Sequence, residues 1–130
     1  MVEKNFYPLF KHWLEKNKPG EFWFFEIKLF KGNRFRLNSV SQRQIDWLLS
    51  AQKGAYYKIT DTTALNGFTQ PKPCDGFWTG SNQVSCFIIP IFYIPRKKKI
   101  AYLIPVKEFL KLSGKSVKEE ELSGFVSIEL

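Results

Sequence analysis

The stretch Glu21-Phe22-Trp23-Phe24-Phe25-Glu26-Ile27-Lys28-Leu29-Phe30 reads as a β-strand. It is dense in aromatic and branched side chains, which suit a pleated surface, and lies between the turn signals Lys18-Pro19-Gly20 and Lys31-Gly32-Asn33. Alternation sends Trp23, Phe25, Ile27 and Leu29 to one face and Phe22, Phe24, Glu26, Lys28 and Phe30 to the other. Both faces are apolar apart from Glu26 and Lys28, the pattern of a central strand covered on both sides. Charges in such a place cost solvation energy unless they are paired or bound, and Val or Ile at both positions would avoid the cost. A same-face ion pair at the open end of the strand is the plain explanation. A working acid and base is the functional one.

The segments on either side supply what such a strand packs against. Before it, Phe6, Leu9, Phe10, Trp13 and Leu14 recur at helical spacing between Val2 and Lys16, and Lys18-Pro19-Gly20 ends that helix. After it, Arg34 to Val40 is extended or looping, and Ser39 or Ser41 caps a helix that runs to about Lys53, with Gly54 as its stop. Ala55 to Thr60 is a short strand, and Asp61 to Pro73 a long loop rich in Thr, Gly, Asn and Pro. Val84 to Ile94 and Ile100 to Val106 are strands joined by a basic tip, Pro95 to Lys99. Val106 to Leu112 is a short helix, and Phe125 to Leu130 an edge strand. The expected fold is α/β, a small mixed sheet flanked by helices in the order α-β-α-β-loop-β-β, forming one domain over residues 1–130.

Composition narrows the function classes. The chain has 130 residues, and its 44% hydrophobic content with thirteen Phe, five Tyr and four Trp sets it apart from disordered sequences. Twenty Lys and Arg against twelve Asp and Glu leave a net charge of +8, which suits a polyanion, nucleic acid before an anionic membrane. Two cysteines cannot build a disulfide framework, a single histidine cannot complete a Cys/His zinc site, and His12, off the apolar stripe of its helix with no other histidine in the chain, disfavours His-dependent nuclease and Ser/His/Asp mechanisms. Charge recurs every few residues from Met1 to Lys16, unlike a signal peptide, and the apolar run Val84 to Pro95 is too short to span a bilayer and is broken by Pro90. The expectation is a cytoplasmic protein with no membrane partner.

Two more residues join the acid–base pair as candidates. With Gln44 as reference and about 100° per helical residue, Val40, Ile45, Leu48 and Ala51 fall around its side, whereas Arg43 and Asp46 fall on the opposite one. Gln44 thus faces the sheet, either as a satisfied core amide or as a site residue. In Lys72-Pro73-Cys74-Asp75-Gly76, proline fixes the backbone ahead of Asp75 and glycine permits a bend after it. That pattern fits a turn aspartate as well as a positioned ligand.

In chain order, Phe25-Glu26-Ile27-Lys28, the segment Ser39 to Leu49 with its inward Gln44, Tyr57-Lys58-Ile59-Thr60-Asp61 and Lys72-Pro73-Cys74-Asp75 resemble the PD-(D/E)XK nuclease superfamily. Their spacing is similar to the branch of Holliday-junction resolvase-like and phage endonucleases, over roughly residues 3 to 110. The resemblance implies a restriction-endonuclease-like core, cleavage of phosphodiester bonds in DNA that is branched or duplex, and a phage, repair or recombination setting in a bacterial or phage-infected cell. It implies Mg²⁺ or Mn²⁺ held by Glu26 and Asp75, with the Ile27 carbonyl and Glu3 as further ligands. Lys28 would orient water or stabilise phosphoryl charge, and Gln44 would position water or a phosphate oxygen. The chain departs from the family in one respect. The metal-binding Asp ordinarily precedes the E-x-K strand, but only residues 16–21 separate that strand from the first helix, so Asp75 stands as a relocated replacement, with Asp61 its rival. Resolvases act as two-fold dimers, so the resemblance also implies a homodimer.

Glu3 lies about 60° from Phe6 within the apolar arc, whereas Glu15 lies on the far side. Arg34, Arg36, Arg43, Lys58, Lys72, Arg96, Lys97, Lys98 and Lys99 are candidate phosphate contacts, against a reading of the hairpin-tip cluster as solvated gatekeepers of a sheet edge. Phe68, Phe77 and Trp78 are loop aromatics able to stack on bases or to cover a core. His12 reads as a surface residue, Cys86 as core, and Cys74 as packing without a base partner. Two rivals to a nuclease remain: a non-catalytic, basic DNA-binding protein that keeps the fold, and a structural subunit in which Glu26–Lys28 is only an ion pair.

Overall fold

The computed structural model of the chain describes residues 6–17, 22–58, 64–65, 68–69, 76–80, 84–93 and 99–130. Its elements are α1 (Tyr7–Asn17), β1 (Phe22–Lys31), β2 (Arg34–Arg36), α2 (Gln42–Gln52), β3 (Tyr56–Lys58), β4 (Ala64–Leu65), β5 (Phe68–Thr69), β6 (Gly76–Trp78), β7 (Val84–Tyr93), β8 (Ile100–Pro105), α3 (Val106–Phe109), β9 (Ser116–Lys118) and β10 (Val126–Glu129). The main sheet is mixed, in the order β1-β7-β8-β10. β1 and β7 are parallel, Phe22 opposite Val84 through Lys31 opposite Tyr93, whereas β8 runs antiparallel to both β7 and β10. Parallel neighbours need a crossover, and α2 lies within that connection and packs on β7 and β1. Fold class is therefore α/β with a small mixed sheet.

Two apolar clusters cover the sheet. On one face Phe10 of α1 and Phe6 just before it meet Ile27, Ile89, Ile91, Ala101 and Leu103. On the other, Ile45, Leu48 and Ala51 of α2 and Val106 and Phe109 of α3 meet Cys86, Ile88, Phe92 and Ile104. β1 is therefore apolar on both faces although it stands at the end of the strand order, which corrects the expectation of a central strand. Covered faces report the layers above and below a strand, not its neighbours within the sheet. Pro90 lies in β7, between β1 and β8; the β7–β8 pairing lapses there, between Ile88–Ile104 and Ile91–Ala101, because proline has no N–H to give.

Short ribbons flank the sheet. Gly32, at φ 105°, turns β1 into β2, and its N–H bonds to the Tyr93 carbonyl at 3.2 Å. β2 pairs with β9, burying Phe35 and Val117 while Arg34 and Arg36 stay exposed. β3 pairs with β6, so Gly76 to Trp78 is strand where the sequence suggested loop. A Cβ on Gly76 would come within 2.7 Å of the Tyr57 carbonyl oxygen and meet the Tyr56 ring. Gly76→Ala should therefore cost about 1–3 kcal/mol through overpacking, read as a lower thermal midpoint.

Candidate active site

β1 delivers Glu26 and Lys28 to the α2 face, opposite Ile88 and Pro90 of β7. The Lys28 Nζ lies 3.3 Å from Glu26 Oε1, with the side chains only 18% and 29% exposed. Both charges are withdrawn from most of their water, so each depends on the other.

Gln44 is the third member. Ser41 caps α2: its Oγ accepts the Gln44 N–H at 3.2 Å, and its own N–H donates to Gln44 Oε1 at 3.0 Å. This reciprocal capping box fixes the amide plane, leaving Nε2 to donate to Glu26 Oε1 at 2.8 Å. The Gln44 amide is satisfied, and the partner that satisfies its Nε2 is Glu26. Both contacts reach Oε1, and no described residue donates to Oε2.

A cleft of about 390 Å³ opens here, lined by Phe25, Glu26, Ser41, Arg43, Gln44, Trp47 and Leu48. Arg43 belongs to its wall, which corrects the sequence reading that turned it away. One helical step is about 100°, so Arg43 flanks Gln44, and it stands four residues, one turn, before Trp47. Trp47 is a wall residue the sequence reading passed over; it is 52% exposed and meets Phe24 edge-on at 5.4 Å. Its spacing of three from Gln44 was the available signal. From Trp47 a row of rings continues through Phe24, Tyr57 and Phe77 to Phe22, at 5.3–5.9 Å. Phe77 is stacked between Tyr57 and Phe22, whereas Trp78 is 76% exposed and packs on Tyr56. Burial, with the Cys86 thiol adding, holds the Tyr57 hydroxyl in its neutral form to higher pH than usual.

The remaining candidates divide. Ile27 sits between the pair with its side chain buried on the α1 face. Lys58 is exposed at the end of β3, opposite Gly76. Asp46 points outward and accepts from Gln42 at 2.9 Å, Glu15 pairs with Lys11 at 3.9 Å, and His12 is exposed. Cys86 is buried, and burial pushes its thiol up to about 11, as suits an inert core residue. Lys99 precedes β8, where its carbonyl accepts the Leu130 N–H at 2.8 Å. Glu3, Asp61, Lys72, Cys74, Asp75, Arg96, Lys97 and Lys98 lie outside the described residues.

Glu26 suits a hard divalent cation: it is a carboxylate with one oxygen held by Lys28 and Gln44, the other without a described donor, beside open volume. No group of three or more metal-ligating side chains converges among the described residues. No helix among the described residues is long and apolar enough to cross a membrane. No family model, curated protein or solved structure matches this chain.

Proposed function

We propose that this protein is a Mg²⁺-dependent DNA endonuclease with a PD-(D/E)XK, restriction-endonuclease-like core, cutting phosphodiester bonds in branched or duplex DNA. One observation carries the reading: Glu26, Lys28 and the cap-locked amide of Gln44 meet on a single carboxylate oxygen at the wall of an open cleft. In this reading Glu26 and Asp75 hold the ion, with Glu3 and the Ile27 carbonyl as additional oxygen donors. When bound, the ion supplies Lewis-acid polarisation of the phosphate and a more acidic water.

The chain's own groups supply the rest. Lys28 presents a compact positive charge where phosphoryl oxygens gain negative charge as water attacks phosphorus and the P–O ester bond breaks. Gln44 holds Glu26 in one orientation and keeps its amide donor at the reacting phosphate's edge. Arg43 and Trp47 suit a phosphate and a base on the cleft rim. Two such chains related by a two-fold axis would address the paired strands of a junction.

The test is nicking of supercoiled and cruciform plasmid by the purified chain. Cleavage is expected with Mg²⁺ or Mn²⁺ and none with EDTA; DNA binding without cleavage under any divalent ion would leave a basic binding module instead. Gln44→Glu sharpens it. Glutamate can still accept the Ser41 N–H, so α2 should stay capped, yet it puts an acceptor where Glu26 needs a donor. Cleavage should fall about 10–100-fold, as for other residues that orient a ligand, and the melting temperature should drop as well, since two carboxylates then face each other beside the single charge of Lys28.

A further inference from the structure

We infer that a second cleft, at the carboxyl end of β1, seats the phosphate backbone of the DNA strand flanking the cut. This rests on the nuclease reading for its reference point, Glu26. The cleft measures about 790 Å³, and its charged wall residues are Lys31, Arg34, Arg36 and Lys115, with no acid among the lining residues. All four are exposed.

These cations come from three separate parts of the chain and are brought together by backbone. Gly32 turns β1 back so that Arg34 and Arg36 leave β2 on one side while Phe35 anchors the other. β2–β9 pairing sets Arg36 opposite Ser116, and the Leu37 N–H donates to the Lys115 carbonyl at 3.1 Å. Arg34 Nη1 also donates to Ser116 Oγ at 3.3 Å. Four like charges in one concavity repel one another, and a concave wall of one sign concentrates field on an anion. A row of phosphates relieves that repulsion, and binding it releases counterions.

Position ties the cleft to the cut. Leu29 to Lys31 stand three to five residues beyond Glu26 on the same strand, about 10–17 Å at the usual rise. Phosphates of one duplex strand advance about 3.4 Å per step, so the cleft would hold phosphates about three to five steps from the cut. Lys99 stands at the same end of the sheet, since Lys31 is opposite Tyr93 and Phe92 opposite Ile100.

The experiment measures affinity for a short DNA duplex against salt concentration, in EDTA so that no cleavage intervenes. Arg34→Gln/Arg36→Gln and Lys31→Gln/Lys115→Gln serve as separate double variants, each checked for native-like melting. Each should flatten the slope of log affinity against log salt by about 1.8, two phosphate contacts' worth, and weaken binding alike for all sequences. Two folded double variants with the native slope would overturn the proposal, as would native protein without salt-dependent binding. Stabilisation by inorganic phosphate without DNA affinity would also overturn it, in favour of a free-phosphate site. Cleavage with unchanged slopes removes the seat alone, and changed slopes without any cleavage remove only the nuclease.

Discussion

Glu26→Gln should abolish divalent-dependent nicking, to below about one-thousandth of the native rate, while leaving the fold intact. Glutamine keeps the size of the side chain and an oxygen able to accept from Gln44 Nε2, the 2.8 Å contact of the native site. It loses the charge that pairs with Lys28 and the hard anionic oxygen a divalent cation requires. Lys28→Ala should cost about 10²–10³ in turnover, the usual loss when one donor to transition-state charge is removed. In that variant Glu26 keeps Gln44 as partner, so the carboxylate stays held and the loss falls on chemistry. Full cleavage by either purified variant would return Glu26–Lys28 to the role of an ion pair.

Phe35→Ala should destabilise the fold by about 3–5 kcal/mol, the range for emptying an aromatic site in a packed core. Phe35 is fully buried, with ring centroids 5.0 Å from Phe30 and 5.9 Å from Phe109. Those contacts join the end of β1, β2 and α3, so little around the ring can collapse into the space. For a chain of this size the midpoint of thermal unfolding should drop by about 10 °C or more. Circular dichroism melting checks it. A shift of only one or two degrees would mean that the β2–β9 ribbon is a loose appendage.

The helices and long strands were legible because their signals are local. The stripe of α1, the Ser41 cap, the Gly54 stop at φ 85° and the apolar runs of β7 and β8 each sit within a dozen residues. The common face of Glu26 and Lys28 followed from strand alternation, and the inward set of Gln44 from helical phase. The sequence also carries the capping box as Ser41-x-x-Gln44, a spacing that foretells an engaged carbonyl on Gln44.

What escaped reading is non-local. The end position of β1 depends on which strand lies beside it, and apolar faces do not record that. β9 is three residues with Val117 alone buried, too little for a periodic signal. Lys31 and Lys115 stand eighty-four positions apart in the sequence, and only the β2–β9 pairing explains why they share a cleft. Helical phase alone does not separate Arg43 from Gln44: one step is about 100°, and the cleft is wide enough to take both residues into its wall.

Anomalous diffraction from a manganese-soaked crystal addresses the metal-holding role of Glu26 with no enzymatic assay between. A peak bonded to the Glu26 carboxylate, shared with Asp75 and lost in Glu26→Gln, is the result expected. A density map with no such peak, and Glu26 engaged by Lys28 and Gln44 alone, would contradict it.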